Sequence, residues 1–214
     1  MQSILNKNKW YFFIGINIIV ITLNIISKQY LYKSLFFYEI YGEQLSKGQI
    51  DQLILRSNKY MIIGYLLTPI ILLIKVILIT VCLKIGLIFI NIKISWGKIL
   101  NWIIKLETIF LIPLLMTLLW FLLINIDYTY AELQFFYPLS LLNLFNSGEL
   151  DQLFVYPLRL VNVFELLYWL ALAKLFATET GKKFGKAFEF VMYTYGVGLL
   201  IWVVFVMFLT VNIS

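Results

Sequence analysis

Long apolar runs separated by polar stretches organise the chain. Trp10 to Ile26, Met61 to Leu83, Thr108 to Ile126, Leu160 to Ala177 and Phe188 to Thr210 are almost wholly apolar. A helical run of about 20 such residues crosses a hydrocarbon core roughly 30 Å thick. The pattern therefore predicts an all-α membrane protein with five transmembrane helices. The third helix is expected to begin earlier, near Ile99, so that Lys105 and Glu107 lie in its first turns. Pro69 and Pro113 fall inside the second and third spans. Each predicts a kink, because proline lacks the backbone donor. The charged start before Trp10 resembles a signal peptide, but Ile26-Ser27-Lys28-Gln29 has no small-x-small cleavage pattern. The first run is read as a retained span.

The polar connections share a pattern of their own. Gly48-Gln49-Ile50-Asp51-Gln52-Leu53 recurs as Gly148-Glu149-Leu150-Asp151-Gln152-Leu153. Phe36-Phe37-Tyr38 precedes the first copy and Phe135-Phe136-Tyr137 the second. Trp96-Gly97-Lys98 before span three matches Phe184-Gly185-Lys186 before span five. The chain reads as one polytopic domain, 1–214. It holds a tandem repeat, unit A at about 10–98 and unit B at about 110–186, and a final span at 188–210. Two-span units return the chain to the same side, so the repeat is parallel, with a pseudo-twofold axis along the membrane normal. Tyr30, Tyr32 and Tyr41 in the first connection, and Tyr128 and Tyr130 in the second, are placed at headgroup level. Ile50, Leu53 and Ile54, like Leu150, Leu153 and Phe154, have helical spacing and predict short interfacial helices. Gly48, Asp51, Gln52, Gly148, Asp151 and Gln152 are the motif residues, with Asp51 and Asp151 expected to cap or orient those helices.

Composition narrows the function classes. Of 214 residues, 62% are hydrophobic and 13% charged. Soluble domains are about half apolar and a quarter charged. The net charge of +6 raises nucleic acid as a partner. No basic run alternates with exposed aromatics in a soluble segment, so nucleic acid is not expected. Lysines at cytoplasmic loops are the better account. The connections holding Lys84, Lys93, Lys98, Lys182, Lys183 and Lys186 carry the larger share of basic residues. This predicts an inner-membrane protein with its N-terminus inside and C-terminus outside. The chain has one cysteine, Cys82, and no histidine. That removes internal disulfides, thiolate clusters and the commonest base and metal ligand. No catalytic residues, metal site or cofactor are expected.

Ionisable residues inside spans are candidate functional groups, because charge at membrane depth is costly. They are Lys75, Lys105, Glu107, Glu165 and Lys174. The lysines can also snorkel toward the inner interface. Lys75 and Glu107 fall at similar depth and can pair. Glu165 cannot snorkel as far. It reads either as a proton, cation or partner-contacting group, or as a hydrogen-bonded carboxyl at the outer interface. Gly196-Val197-Gly198 is read as close helix packing through small residues.

Asn162-Val163-Phe164-Glu165-Leu166-Leu167-Tyr168-Trp169, followed by Gly181-Lys182-Lys183-Phe184-Gly185-Lys186-Ala187 entering an apolar run, resembles the bacterial branch of the Yip family. These are relatives of the five-span, Rab-interacting trafficking proteins. The resemblance covers roughly residues 134–210. It implies a non-enzymatic integral membrane protein working through partners or lipids. The expected function is a scaffold or accessory subunit of a larger membrane assembly. Its partners would be the lipid bilayer and other membrane proteins, or further copies of itself. The alternative is a small transporter or channel with a path between the repeats, lined by Glu165 and Lys75.

Overall fold

A computed structural model describes residues 2–146 and 150–213, and side chains from Lys9 to Asn146 and Leu150 to Asn212. Gly148 of the second motif copy lies outside the described residues. Helices joined by turns and loops make up the described residues, with one isolated bridge between Ser140 and Asn162. Among the described residues, four helices are long and apolar enough to cross a membrane: Lys9–Tyr30, Lys47–Phe89, Trp96–Ile124 and Phe184–Asn212.

The first belongs to α1 (Gln2–Tyr30). The short α2 (Leu35–Tyr41) comes next. α3 (Lys47–Phe89) has 43 residues and is about 64 Å long at 1.5 Å per residue. The stretch around Gly48, expected as a separate surface helix, is the opening of α3. Nothing between Tyr60 and Met61 breaks the backbone there, so the helix runs straight into the apolar segment. It also continues through Pro69, since proline is tolerated in membrane helices. The carbonyl that Pro69 leaves without a helical donor is that of Tyr65, and one residue earlier Thr68 Oγ1 donates to the Gly64 carbonyl at 3.0 Å.

The third rod is α4 (Trp96–Leu106), a 3-10 turn (Glu107–Phe110), α5 (Leu111–Leu119) and a π turn (Trp120–Ile124). α6 (Tyr130–Phe135) is closed by a reciprocal cap. Glu132 N–H donates to Thr129 Oγ1 at 3.2 Å, and Thr129 N–H to Glu132 Oε2 at 2.9 Å. This satisfies two otherwise orphan donors. Next come α7 (Gln152–Leu160) and α8 (Val163–Thr180). α8 ends at Gly181, whose φ of 67° is the left-handed conformation that glycine adopts without a side-chain penalty. The last rod joins α9 (Phe184–Val191), a π turn (Met192–Gly196) and α10 (Val197–Ile213).

Two apolar clusters hold these rods together. The larger lies between α1, α3, α4, α8 and α9 and includes Val76, Ile103, Tyr168, Leu172 and Val191. The smaller lies under the aromatic connections and includes Leu31, Phe36, Leu118, Phe121, Tyr128 and Leu133. α8 packs against α4 and α9 and is buried at Phe164, Glu165, Tyr168, Leu172, Ala173 and Phe176. Small residues set the closest approaches. A Cβ at Gly196 would meet the Trp169 ring at 2.8 Å, and one at Gly198 the Cys82 Sγ at 2.6 Å. Gly86 meets Thr194 and Phe190.

Candidate functional site: a buried polar chain around α8

Asn162 starts α8 and sets the geometry of its first turn. Its Oδ1 accepts from Glu165 N–H at 2.8 Å, as an N-cap should. Its Nδ2 donates to the Arg159 and Leu160 carbonyls at 2.9 and 3.1 Å. One amide thus closes the end of α7 and opens α8. Glu165 stands where a capping-box glutamate would fold back on its own helix. Instead its Oε1 accepts from Tyr195 Oη at 2.6 Å and from Trp169 Nε1 at 2.9 Å. Tyr195 reaches it from the π turn of the last rod. A π turn of this kind is frequent at functional sites.

Lys75 and Glu107 occupy the other side. Lys75 Nζ lies 2.8 Å from Glu107 Oε2, with side-chain exposures of 40% and 3%. The same ammonium sits 3.9 Å from the centre of the Phe110 ring. Glu107 begins the 3-10 turn and Tyr195 sits in the π turn, so both polar residues reached from neighbouring rods stand on non-α segments. The Phe110 and Tyr168 ring centres are 5.3 Å apart, and so are those of Tyr168 and Tyr195. Contacts therefore run unbroken from Lys75 and Glu107 through Phe110, Tyr168 and Tyr195 to Glu165 and Trp169. Along this run, buried Glu107 Oε1 and Tyr168 Oη have no hydrogen-bond partner among the described residues.

The structure thus brings together Lys75, Glu107 and Glu165. It leaves Lys105 and Lys174 exposed on the outer faces of α4 and α8. Sequence marks Tyr168 only within the stretch that carries the family resemblance and does not single out Tyr195, because an aromatic in an apolar run carries no separate signal. Asn162 does carry a readable one: Asn-x-x-Glu ahead of an apolar run is an N-terminus signature.

The motif copies play different parts. In the first, Ile50 is buried and Asp51 accepts from Tyr38 Oη at 2.5 Å. That bond raises the Tyr38 phenol above its ordinary pKa. In the second, Asp151 caps α7 by accepting from Leu153 N–H at 2.9 Å. Gln52 lies inside α3, and Gln152 is the first residue of α7.

At the same end the aromatic connections form an ordered layer. Tyr128 Oη donates to the Leu31 carbonyl at 2.8 Å. The Lys33 ammonium stands 4.6 Å from the Tyr128 ring centre, and Trp120 stacks on Phe136 at 5.4 Å. Leu139 has a φ of 55°, uncommon for a residue with a Cβ. It is bracketed by Leu141 N–H donating to Val161 O at 3.0 Å and Val163 N–H donating to Leu139 O at 3.2 Å. No group of three or more histidine, cysteine or carboxylate residues placed to hold a metal ion occurs among the described residues. A scan against family models and searches of curated proteins and of solved structures gave no match.

Proposed function

We propose that the chain is a non-enzymatic inner-membrane protein that serves as a scaffold or accessory subunit of a larger membrane assembly. The observation that carries this reading is the aromatic end. Its inner face is pinned by the Tyr128–Leu31 bond and the Phe121–Tyr128 contact at 4.6 Å. Its outer face leaves Leu139, Leu144 and Phe145 exposed. Ordered apolar side chains outside the long apolar helices are what a partner surface needs. The long α3 adds a rigid support, extending well beyond its apolar segment and holding α2 through the Tyr38–Asp51 bond.

In this reading α8 supplies the remaining span, fourth in chain order. Its 18 residues cover about 27 Å. Glu165 is held inside the bundle, and Lys174 and Glu179 lie toward the lysine end. That end faces inward, giving N-terminus in and C-terminus out. The parallel repeat then pairs α1 with the third and last rods, and α3 with α8. The resemblance to bacterial Yip relatives agrees with this arrangement. The residues that carry it, Asn162, Phe164, Glu165, Tyr168 and Trp169, act as one unit at the start of α8.

A specific observation favours the second reading, a small transporter or channel. Glu107 Oε1 and Tyr168 Oη are buried and have no hydrogen-bond partner among the described residues. Against a path, the void in the larger core is about 10 Å³ and lined by apolar side chains such as Leu83, Leu172 and Phe176. Such a space stays dry. Mild-detergent purification from native membranes, with mass spectrometry of what accompanies the protein, tests the first reading. Stoichiometric companions are expected. A protein that runs alone or only with itself overturns the scaffold. Glu165→Gln in proteoliposomes tests the second, since a transport path should lose pH-dependent flux.

A further inference from the structure

A lateral groove of about 720 Å³ opens between the end of α3 and the last rod. Ile85 and Phe89 form one wall, and Val197 and Ile201 the other. Its floor is the close crossing at Gly86 and Gly198, where the two helices touch before diverging. At one mouth stand Lys182, Lys183 and Lys186, all exposed. The acid in the groove lining, Glu189, is paired with Lys186 at 2.8 Å, and nearby Glu179 is paired with Lys98.

The dimensions match one leaflet. From Phe190 to Ile201 the rod rises about 16 Å at 1.5 Å per residue. Half of a roughly 30 Å hydrocarbon core is about 15 Å. Lys186 lies about 6 Å beyond Phe190, one turn further along the helix, at headgroup level. Apolar walls one acyl chain deep, under a cluster of ammonium groups, fit an amphiphile with a negatively charged head.

We infer that this groove is a binding site for an anionic phospholipid, with an acyl chain between α3 and α10 and the headgroup held by Lys182, Lys183 and Lys186. Charge complementarity and depth select this occupant over a neutral lipid. Each lysine near a membrane surface strengthens anionic-lipid binding about fivefold.

Native mass spectrometry of the full chain in detergent tests the inference, with phosphatidylglycerol and phosphatidylcholine of identical acyl chains as probes. Preferential retention of phosphatidylglycerol is expected. The triple variant Lys182→Gln, Lys183→Gln, Lys186→Gln should lose roughly 100-fold in that affinity. Lys47→Gln with Lys59→Gln, charges at the far end, should leave it unchanged. Val197→Trp fills the groove from an exposed wall and should weaken retention with all lysines in place. Equal retention of both lipids, or a triple variant as selective as the parent, overturns the site. So does displacement of the lipid by millimolar inorganic phosphate, or a second polypeptide seated across the groove instead.

Discussion

Replacing Lys75 with methionine is the sharpest probe of the polar chain. Glu107 is 3% exposed, and Lys75 Nζ is the partner of its Oε2, while Oε1 has none. Removing one member of a buried pair leaves an uncompensated charge, at a cost of about 3–5 kcal/mol. The lysine is itself 40% exposed, which places the expected loss near the low end, about 3 kcal/mol. Loss of the cation–π contact with Phe110 is contained in that figure. Lys75→Met combined with Glu107→Leu removes both charges and leaves no buried carboxylate. Replacing a whole buried pair by apolar groups is often close to neutral, so the double variant should lose about 1 kcal/mol or less. The assay is reversible unfolding in mixed micelles, followed by tryptophan fluorescence, as a double-mutant cycle. A single variant costing under about 1 kcal/mol, or a double variant costing as much as the single, would refute the pairing argument.

Three other outcomes are expected from the geometry. A Cβ at Gly198 would stand 3.5 Å from Cys82 Cβ, within the range for a disulfide. Oxidised Gly198→Cys should therefore show a mobility shift on non-reducing gels, and the Cys82→Ser background should abolish it. Asn162→Ala should destabilise by about 1–2 kcal/mol, the upper range for an N-cap, because the same amide also closes α7; unfolding in detergent reads this directly. Glu165→Gln keeps an acceptor for Tyr195 and Trp169 and should cost little. Glu165→Leu strands both donors and should cost about 2–3 kcal/mol, with a change in tryptophan emission; equal losses for the two variants would argue against the hydrogen bonds.

Much of this molecule is legible in the pattern of apolar runs. The four long membrane-length helices fall on the first, second, third and fifth runs, because hydrophobicity over about 20 residues is a dense signal. The fourth run is shifted: its first residues end α7, and Asn162 opens α8. Apolar content does not register that break, whereas a cap three residues before a glutamate does. Lys75 and Glu107 can be matched by depth alone, since helices crossing one slab share a vertical coordinate. Glu165 can be flagged but not explained. Its partner Tyr195 comes from 30 residues further along, and only the packing of α8 against the last rod brings it near. The repeated motif shows the opposite limit. Nearly identical residues give a contact to Tyr38 from the opening of α3 at Asp51 and a cap at Asp151. Ser46, rather than Asp51, begins α3, with its N–H donating to Gln49 Oε1 at 2.9 Å.

The π turn at Met192–Gly196 gives the last rod one residue more than an α-helix of that pitch would use. Deleting a single residue there can be absorbed by closing the π turn to an α turn, whereas deleting one from α10 between Gly198 and Trp202 would swing everything beyond by about 100°. Trp202 would then turn away from Tyr156, to which it now donates at 2.7 Å. Length variation in this chain is thus not neutral where it is least visible. A one-codon change in an unbroken apolar stretch would act as a rotation of the C-terminal helix, whereas similar changes in the exposed connections would act only as changes in reach.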